Sequence, residues 1–448
     1  MSKKVIDLKD LNFLFSSEAI NYVPRKTKFS RIIKHNIFLS FLFFWVNYIR
    51  KISHYFLSKK NKKVTKDLIF LSFTNNQKES ARALSEYFED DCFWGNKEFG
   101  HNMVPEYKGY SYAIPYLFQT IKEYRKATEY YKLSFKLFFW QYWLSFGYVK
   151  MLERFITNNN IKTVVVTNDH IMRTRALTYL SNRASFKSIY YQHASVTYNF
   201  PNLRFDYALL EGMDAFDKYK NVGDVDSIVF IIGNLKRATY LKLNKSIKVN
   251  NIGICFGLND KEDKIKQVVE FIVKNFSFNK VVLRPHPGES RLQFIQYLES
   301  EFDILISDSK QERINDFLDG IDCVVAGESN VHLDAVSKNI ETVYFELNEL
   351  SDSYSFIKNK LITYISHTPS ELSSILNSLS QEKSDCIQRA TYYDGLIGSP
   401  FYGKSQLLYS EVIKGIHNND FQFIDKHFRK SMIGGVNTYT LINSSTKP

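Results

Sequence analysis

Short β-forming runs alternate with helical stretches twice along this chain, and that alternation leaves few architectures open. The first series is "DLIFLSF" (67–73), "KTVVVTN" (162–168), "KSIYYQH" (187–193), "DYALLEG" (206–212) and "SIVFIIG" (227–233). A long helical stretch from about 115 to 157 falls inside it. Near-continuous apolar strands separated by helices imply a parallel sheet covered on both faces. The Lys/Asn-rich segment 234–249 carries no strand pattern and reads as a linker. A second series follows: "NIGICFG" (251–257), "KVVLRPH" (280–286), "DILISD" (303–308), "DCVVAG" (322–327) and "TVYFEL" (342–347). At 448 residues the chain is too long for one typical core. We therefore expect an α/β protein with two doubly wound domains facing a cleft, over residues 67–245 and 246–389. Residues 390–448 are expected to form a crossover segment and a tail, frayed after about Phe428.

In such sheets ligands bind beyond the carboxyl ends of the strands. The second domain places Arg284 and His286 there, in "RPHPGES", and then Gly327, Glu328, Ser329 and Asn330 at the start of a helix. Pro285 and Pro287 fix their own torsions and restrict the residues before them, so His286 is held stiffly. A tight turn would use the same residues. The Gly-Glu-Ser-Asn turn offers backbone N–H groups, a hydroxyl, an amide and the helix dipole, which suit a phosphate. Arg284 and His286 would supply opposing charge. Helix capping by Ser329 or Asn330 is the plain alternative. In the first domain the strand ends carry Asn168, Asp169 and His170, then Gln192 and His193, then Glu211 and Gly212. Asp169 and Glu211 also read as helix caps, and His193 as a structural histidine.

The order "QHA", "YALLEGMDAFDKY", "IIGN", "RPHP" and "GESNVHLDAVSKNIETVYFEL" resembles the bacterial GT-B glycosyltransferases of surface polysaccharide assembly that carry an HP motif. These include capsular sialyl- and Kdo-transferases and the CDP-glycerol glycerophosphotransferases. The resemblance covers roughly residues 160–350. It implies a GT-B fold of two Rossmann-like domains, with His286 on the donor's nucleotide phosphate and Ser329 helping to bind it. It also implies a cytidine-linked donor. Glu211-Gly212 is similar to the acidic-Gly motif of the sialyltransferases, with Leu210 in place of its first acid. His193-Ala194 stands where the glycerophosphotransferases have His-Gly, and Asn330 follows Ser329 where a second hydroxyl residue is usual.

Transfer from a nucleotide-activated donor requires the phosphate to be held, the leaving charge stabilised and the acceptor hydroxyl deprotonated. Arg284, His286 and the 327–330 turn suit the first two tasks. His193, Asp169 or Glu211 suits the third, with His193 preferred because imidazole titrates near neutral pH. No cofactor or metal is expected: the only Asp-x-Asp, Asp224 to Asp226, precedes a strand rather than following one. Tyr392, Tyr393 and Tyr402, in a Tyr/Gly-dense stretch, are expected either to border the cleft and meet sugar rings or the acceptor, or to form a loop packed by its own aromatics.

Charge adds a partner. The net charge is +12, and Arg25 to Lys66 holds twelve Lys or Arg and no acid, so the remainder balances. Within this window "NIFLSFLFFWVNYI" (36–49) is apolar and aromatic but short for a span, which needs roughly 20 apolar residues. Residues 1–66 therefore read as a basic, aromatic helical segment for an anionic membrane surface, or as a core helix with a basic rim. No nucleic-acid-binding motif accompanies the charge. Four separated cysteines and no secretory h-region fit a reducing compartment, so the expected location is cytoplasmic, peripheral at the inner face of the bacterial membrane. A sugar-nucleotide epimerase and a non-catalytic, membrane-recruited assembly factor are the rival functions.

Overall fold

The computed structural model describes residues 37–57, 64–73, 75–95, 103–127, 129–181, 185–198, 200–235, 249–349, 352–379 and 385–442. In chain order the strands are β1 (Leu68–Ser72), β2 (Phe93–Gly95), β3 (Thr163–Val166), β4 (Lys187–Tyr191), β5 (Tyr207–Leu210) and β6 (Ile228–Ile231). There follow β7 (Asn251–Phe256), β8 (Lys280–Pro285), β9 (Leu305–Ile306), β10 (Cys323–Ala326), β11 (Glu341–Phe345), β12 (Tyr364–Ser366), β13 (Phe428–Ile433) and β14 (Val436–Leu441). They form two sheets, ordered β13-β14-β6-β5-β4-β3-β1-β2 and β12-β11-β10-β7-β8-β9. Every neighbouring pair is parallel except the β13–β14 hairpin. β1, β3, β10 and β11 are buried at every residue, which is why their sequences are largely apolar, with the buried Glu341 of β11 paired to Arg389.

The chain divides into two units: Met1–Ala238 with Gly398–Pro448, and Thr239–Ile397. Residues 398–448, which include the helix Ser405–Asn418, belong to the first unit. There Tyr409 donates to the Gly233 carbonyl at 2.6 Å and Ser405 to that of Leu235 at 2.8 Å. The tail is corrected. Residues 428–441 alternate around Gly434 (φ 53°) and Gly435 (φ 84°), a left-handed pair that closes a two-residue hairpin. Its β14 pairs with β6, and the Tyr439 ring stacks on Phe230 at 4.6 Å. Most of the linker read at 234–249 lies outside the described residues.

In the first unit the expected helical stretch is two helices, Leu117–Lys126 and Glu129–Asn158. The second carries the core: Trp143, Phe146, Tyr148 and Leu152 are fully buried. Trp143 Nε1 donates to the Ala113 carbonyl at 2.7 Å, tying it to the helix Glu106–Ala113. The helix Ile37–Leu57 lies against both. Phe44, wholly buried, stacks on Trp143 at 3.8 Å, and Tyr48 stacks on Tyr110 at 5.8 Å. The segment read as standing apart over residues 1–66 is therefore, over 37–57, joined to the core of the first unit. Most of its cations fall in 1–36 and 58–63, outside the described residues.

Candidate functional site

The second unit gathers three loops at the carboxyl ends of adjacent strands β10, β7 and β8. They are Gly257–Asp260, His286–Arg291 and Gly327–Asn330. Arg291 joins the first two, donating to the Asp260 carbonyl at 2.7 Å and the Gly257 carbonyl at 3.1 Å. The third presses in so closely that a Cβ at Gly327 would lie 3.2 Å from Asp260 Oδ1. Asp260 Oδ2 accepts the Gly257 N–H at 2.6 Å, and burial raises its carboxyl pKa.

The stiffness of the His286 loop has a second source beside the prolines. Glu289 is buried and accepts from the Ser290 and Arg291 amides at 2.8 and 2.9 Å. Arg291 also donates to it from Nε at 3.0 Å and Nη2 at 2.6 Å. Those hydrogen bonds hold the Glu289 carboxyl at about 2, against the effect of burial. His286 itself is exposed. Its backbone N–H donates to the Phe256 carbonyl, and its Nδ1 accepts the Gly288 N–H, both at 3.0 Å. With Nδ1 accepting, Nε2 carries the ring proton and is the donor available to a ligand.

Arg284 departs from expectation. It is buried, donates to Ser307 Oγ, to Glu312 Oε2 at 3.3 Å and to the Glu312 carbonyl at 2.9 Å, and lies over the Phe317 ring at 5.0 Å. Its charge is spent on fixing the chain after β9, so the phosphate role does not fall to it. The 327–330 turn also divides its labour. Ser329 Oγ accepts the Val331 N–H at 3.3 Å, while Asn330, the residue at the N-cap, makes no side-chain cap hydrogen bond, and Glu328 Oε1 accepts the Ser353 N–H at 2.5 Å. Asn330 Oδ1 is buried with no hydrogen-bond donor. His332, fully buried, donates from Nε2 to the Gly327 carbonyl at 2.8 Å and meets Thr342 Oγ1 at 2.5 Å through Nδ1. It therefore braces the turn from behind.

Burial pushes the His332 pKa down to about 4. The unfolded chain takes up this proton near 6.5, so the stability it contributes is full above that pH and falls as the pH drops towards 4. At about 1.4 kcal/mol per pK unit, the expected loss is about 3 kcal/mol. His417 and His427 are lowered too, chiefly by burial, and add in the same direction. Thermal melts between pH 7 and 4 check this, and His332→Gln should flatten the dependence. An unchanged slope in that variant would assign the acid sensitivity elsewhere.

In the first unit the corresponding ends are those of β3, β4 and β5, also adjacent. Asn168 closes the turn ahead of the next helix, its Oδ1 accepting from the His170 and Ile171 amides at 3.0 and 2.8 Å. Asp169 is buried, with Oδ2 accepting from Tyr219 OH at 2.6 Å and Oδ1 facing His170 Nδ1 at 2.9 Å. Burial works to raise its pKa, but His170 and Tyr219 hold it below the usual carboxylate value. A low-pKa carboxylate with both oxygens engaged is not the base expected there. It orients His170, whose ring is partly exposed and whose Nε2 lies 3.2 Å from Asn168 Nδ2. The sequence reading placed His170 at this strand end but gave it no role. Its signal was the "NDH" end of an apolar strand, a carboxylate and an imidazole in one turn. Glu211 is buried too, its amide donating to Gln192 Oε1 at 2.9 Å and its Oε2 accepting from Gln192 Nε2 at 3.4 Å. His193 is half-buried at the end of β4.

The three tyrosines are divided between the two units. Tyr393 is a core residue of the second unit, packed edge-on to Phe356 at 5.5 Å. Half-buried Tyr392 lies against it at 5.3 Å, and half-buried Tyr402 belongs to the first unit. Among the described residues no three His, Cys, Asp or Glu side chains are grouped to hold a metal ion.

No family model matches this chain, and no curated protein matches it. Solved structures do. The calicheamicin glycosyltransferase CalG4 has a TM-score of 0.50 and 8% identity, over 79% of this chain and 99% of that one. The UDP-GlcNAc 2-epimerase from Neisseria meningitidis scores 0.49 at 10% identity, over 78% and 99%. The wall teichoic acid polymerase TagF scores 0.46 at 13% identity, over 85% and 99%. At such identities the likeness is one of fold. The chain has the mixed α/β, parallel-sheet fold of the GT-B-type glycosyltransferases.

Proposed function

We propose that this chain is a glycosyltransferase that moves a sugar from a nucleotide-activated donor to a surface polysaccharide or glycolipid acceptor at the inner face of the membrane. The observation that carries the reading is the three-loop array at the ends of β10, β7 and β8, in which a clamped loop presents an exposed imidazole N–H. CalG4, whose fold this chain shares, is a glycosyltransferase. The donor is expected to be cytidine-linked, from the resemblance in sequence.

In the reaction the acceptor oxygen attacks the sugar's anomeric carbon while its proton passes to a protein base. The bond from that carbon to the donor phosphate oxygen breaks, and the nucleotide leaves with the negative charge. His286 Nε2–H meets this charge, with backbone amides of the 327–330 turn beside it and Asn330 as a further polar contact. His193 is the base read from the sequence. His170, aligned by Asp169, is the second imidazole with the right chemistry.

Purified protein incubated with CMP-, CDP-, UDP- and GDP-linked sugars and an oligosaccharide acceptor tests the reading. Nucleotide release that depends on acceptor is the expected result, and His170→Ala and His193→Ala in the same assay name the base. Inversion at C2 of free donor would make the protein an epimerase. Binding without turnover would make it an assembly factor.

A further inference from the structure

The helix Ile37–Leu57 has two apolar faces, and the fold uses one of them. Phe44 and Tyr48 are packed on the first unit, and Lys51 is pinned there by Glu106. Glu106 is buried and also holds Arg173 at 2.9 Å, so this attachment is an internal ion-pair network and not a loose contact. The other face carries Leu42, Val46, Ile49, Phe56 and Leu57, spaced as one helical stripe, with exposures rising from 45% at Leu42 to 76% at Leu57. A stripe of this kind, broken only by Ser53, marks an interaction surface.

We infer that this outward face seats on the surface of an anionic phospholipid bilayer. No described helix is long and apolar enough to cross a membrane, and this one is fastened along one side, so it lies on the bilayer. Charge selects the occupant. Arg50 is exposed beside the stripe, and the sequence from Arg25 to Lys66 holds twelve cations and no acid. Two copies of the chain meeting through this face would bring like charges together. Anionic headgroups neutralise them, while the aliphatic and aromatic side chains enter the boundary with the acyl chains. At 21 residues the helix offers a line of contact about 31 Å long. The inference does not depend on which reaction the protein catalyses.

Full-length protein is sedimented with vesicles of phosphatidylcholine containing about 30 mol % phosphatidylglycerol, and with phosphatidylcholine alone, at about 0.1 M salt. The protein should partition to the anionic vesicles and leave them as salt rises. Val46→Gln/Ile49→Gln should keep the wild-type melting temperature, because both positions are exposed, and should lower partitioning on the order of tenfold. The single variant Ile49→Gln, with about a threefold expected loss, covers the case in which the double variant melts early. Three results would overturn the inference: no binding by wild type, equal binding by folded variants, or a wild-type dimer that these substitutions dissociate without any change in vesicle binding.

Discussion

His286→Ala should leave the melting temperature within a degree or two and slow transfer by roughly a hundred- to a thousandfold, about 3–4 kcal/mol of transition-state stabilisation. The two halves of this result have separate causes. The side chain is exposed and its one hydrogen bond within the fold is the Nδ1 contact to Gly288, so the core loses little. The loop keeps its shape without the ring, because Glu289 and Arg291 clamp it to the carbonyls of Gly257 and Asp260. What is lost is a donor held in place before the ligand arrives, the kind of group that costs no reorganisation during reaction. His286→Gln, which retains an N–H, should recover part of the rate. If the histidine is only a turn residue, melting temperature will fall and folded protein will turn over normally. Arg284→Lys should behave in the opposite way to His286→Ala and destabilise, since its fork is spent on Ser307 and Glu312 inside the unit.

Gly147→Val should be the most damaging single change in the first unit, costing about 3 kcal/mol or more and leaving most of the protein insoluble. A Cβ at Gly147 would come within 1.8 Å of the Gly109 carbonyl oxygen and 2.7 Å of the Ala113 nitrogen. Both are backbone atoms of the helix Glu106–Ala113, so no rotamer relieves the clash. To admit a side chain, the two helices must separate. Separation breaks the Trp143 hydrogen bond to Ala113 and shifts Glu106, which anchors Lys51 and Arg173. Gly109→Ala is the control on the same helix pair. Its Cβ would meet only the Met151 and Tyr148 side chains, at 3.6 Å, an ordinary contact. It should be neutral or stabilising by up to about 1 kcal/mol, from helix propensity. Solubility and thermal melts of the two variants decide the matter, and similar melting temperatures would contradict the packing account.

The sheets were legible because buried parallel strands must be apolar on both faces, which marks runs such as "KTVVVTN" and "DCVVAG" plainly. The hairpin at 428–441 was not read, although the Gly434-Gly435 pair is a turn signal. β2 and β12, at three residues each, are too short to carry a pattern. Strand-end reasoning located the loops of interest but could not assign jobs within them. Arg284 and His286 sit two residues apart in one motif, yet the first is buried against Glu312 and the second is exposed. Which way Arg284 points depends on Ser307 and Glu312, more than 20 residues distant, and no local spacing encodes that. The same holds for Asp169, whose engagement by Tyr219 comes from a helix 50 residues on. The sequence left the helix Ile37–Leu57 open between a membrane-surface segment and a core helix for a related reason: its apolar residues do not say which face the fold takes.

The account stands on the three loops of the second unit holding a nucleotide phosphate at His286. Isothermal titration of CMP, CDP, UDP and GDP into wild type and into folded His286→Ala measures this directly, without any assumption about sugar or acceptor. The account predicts that at least one nucleotide binds the wild type and that the variant binds it about tenfold or more weakly. Equal affinity in the two proteins, or no nucleotide binding by the wild type, would contradict it.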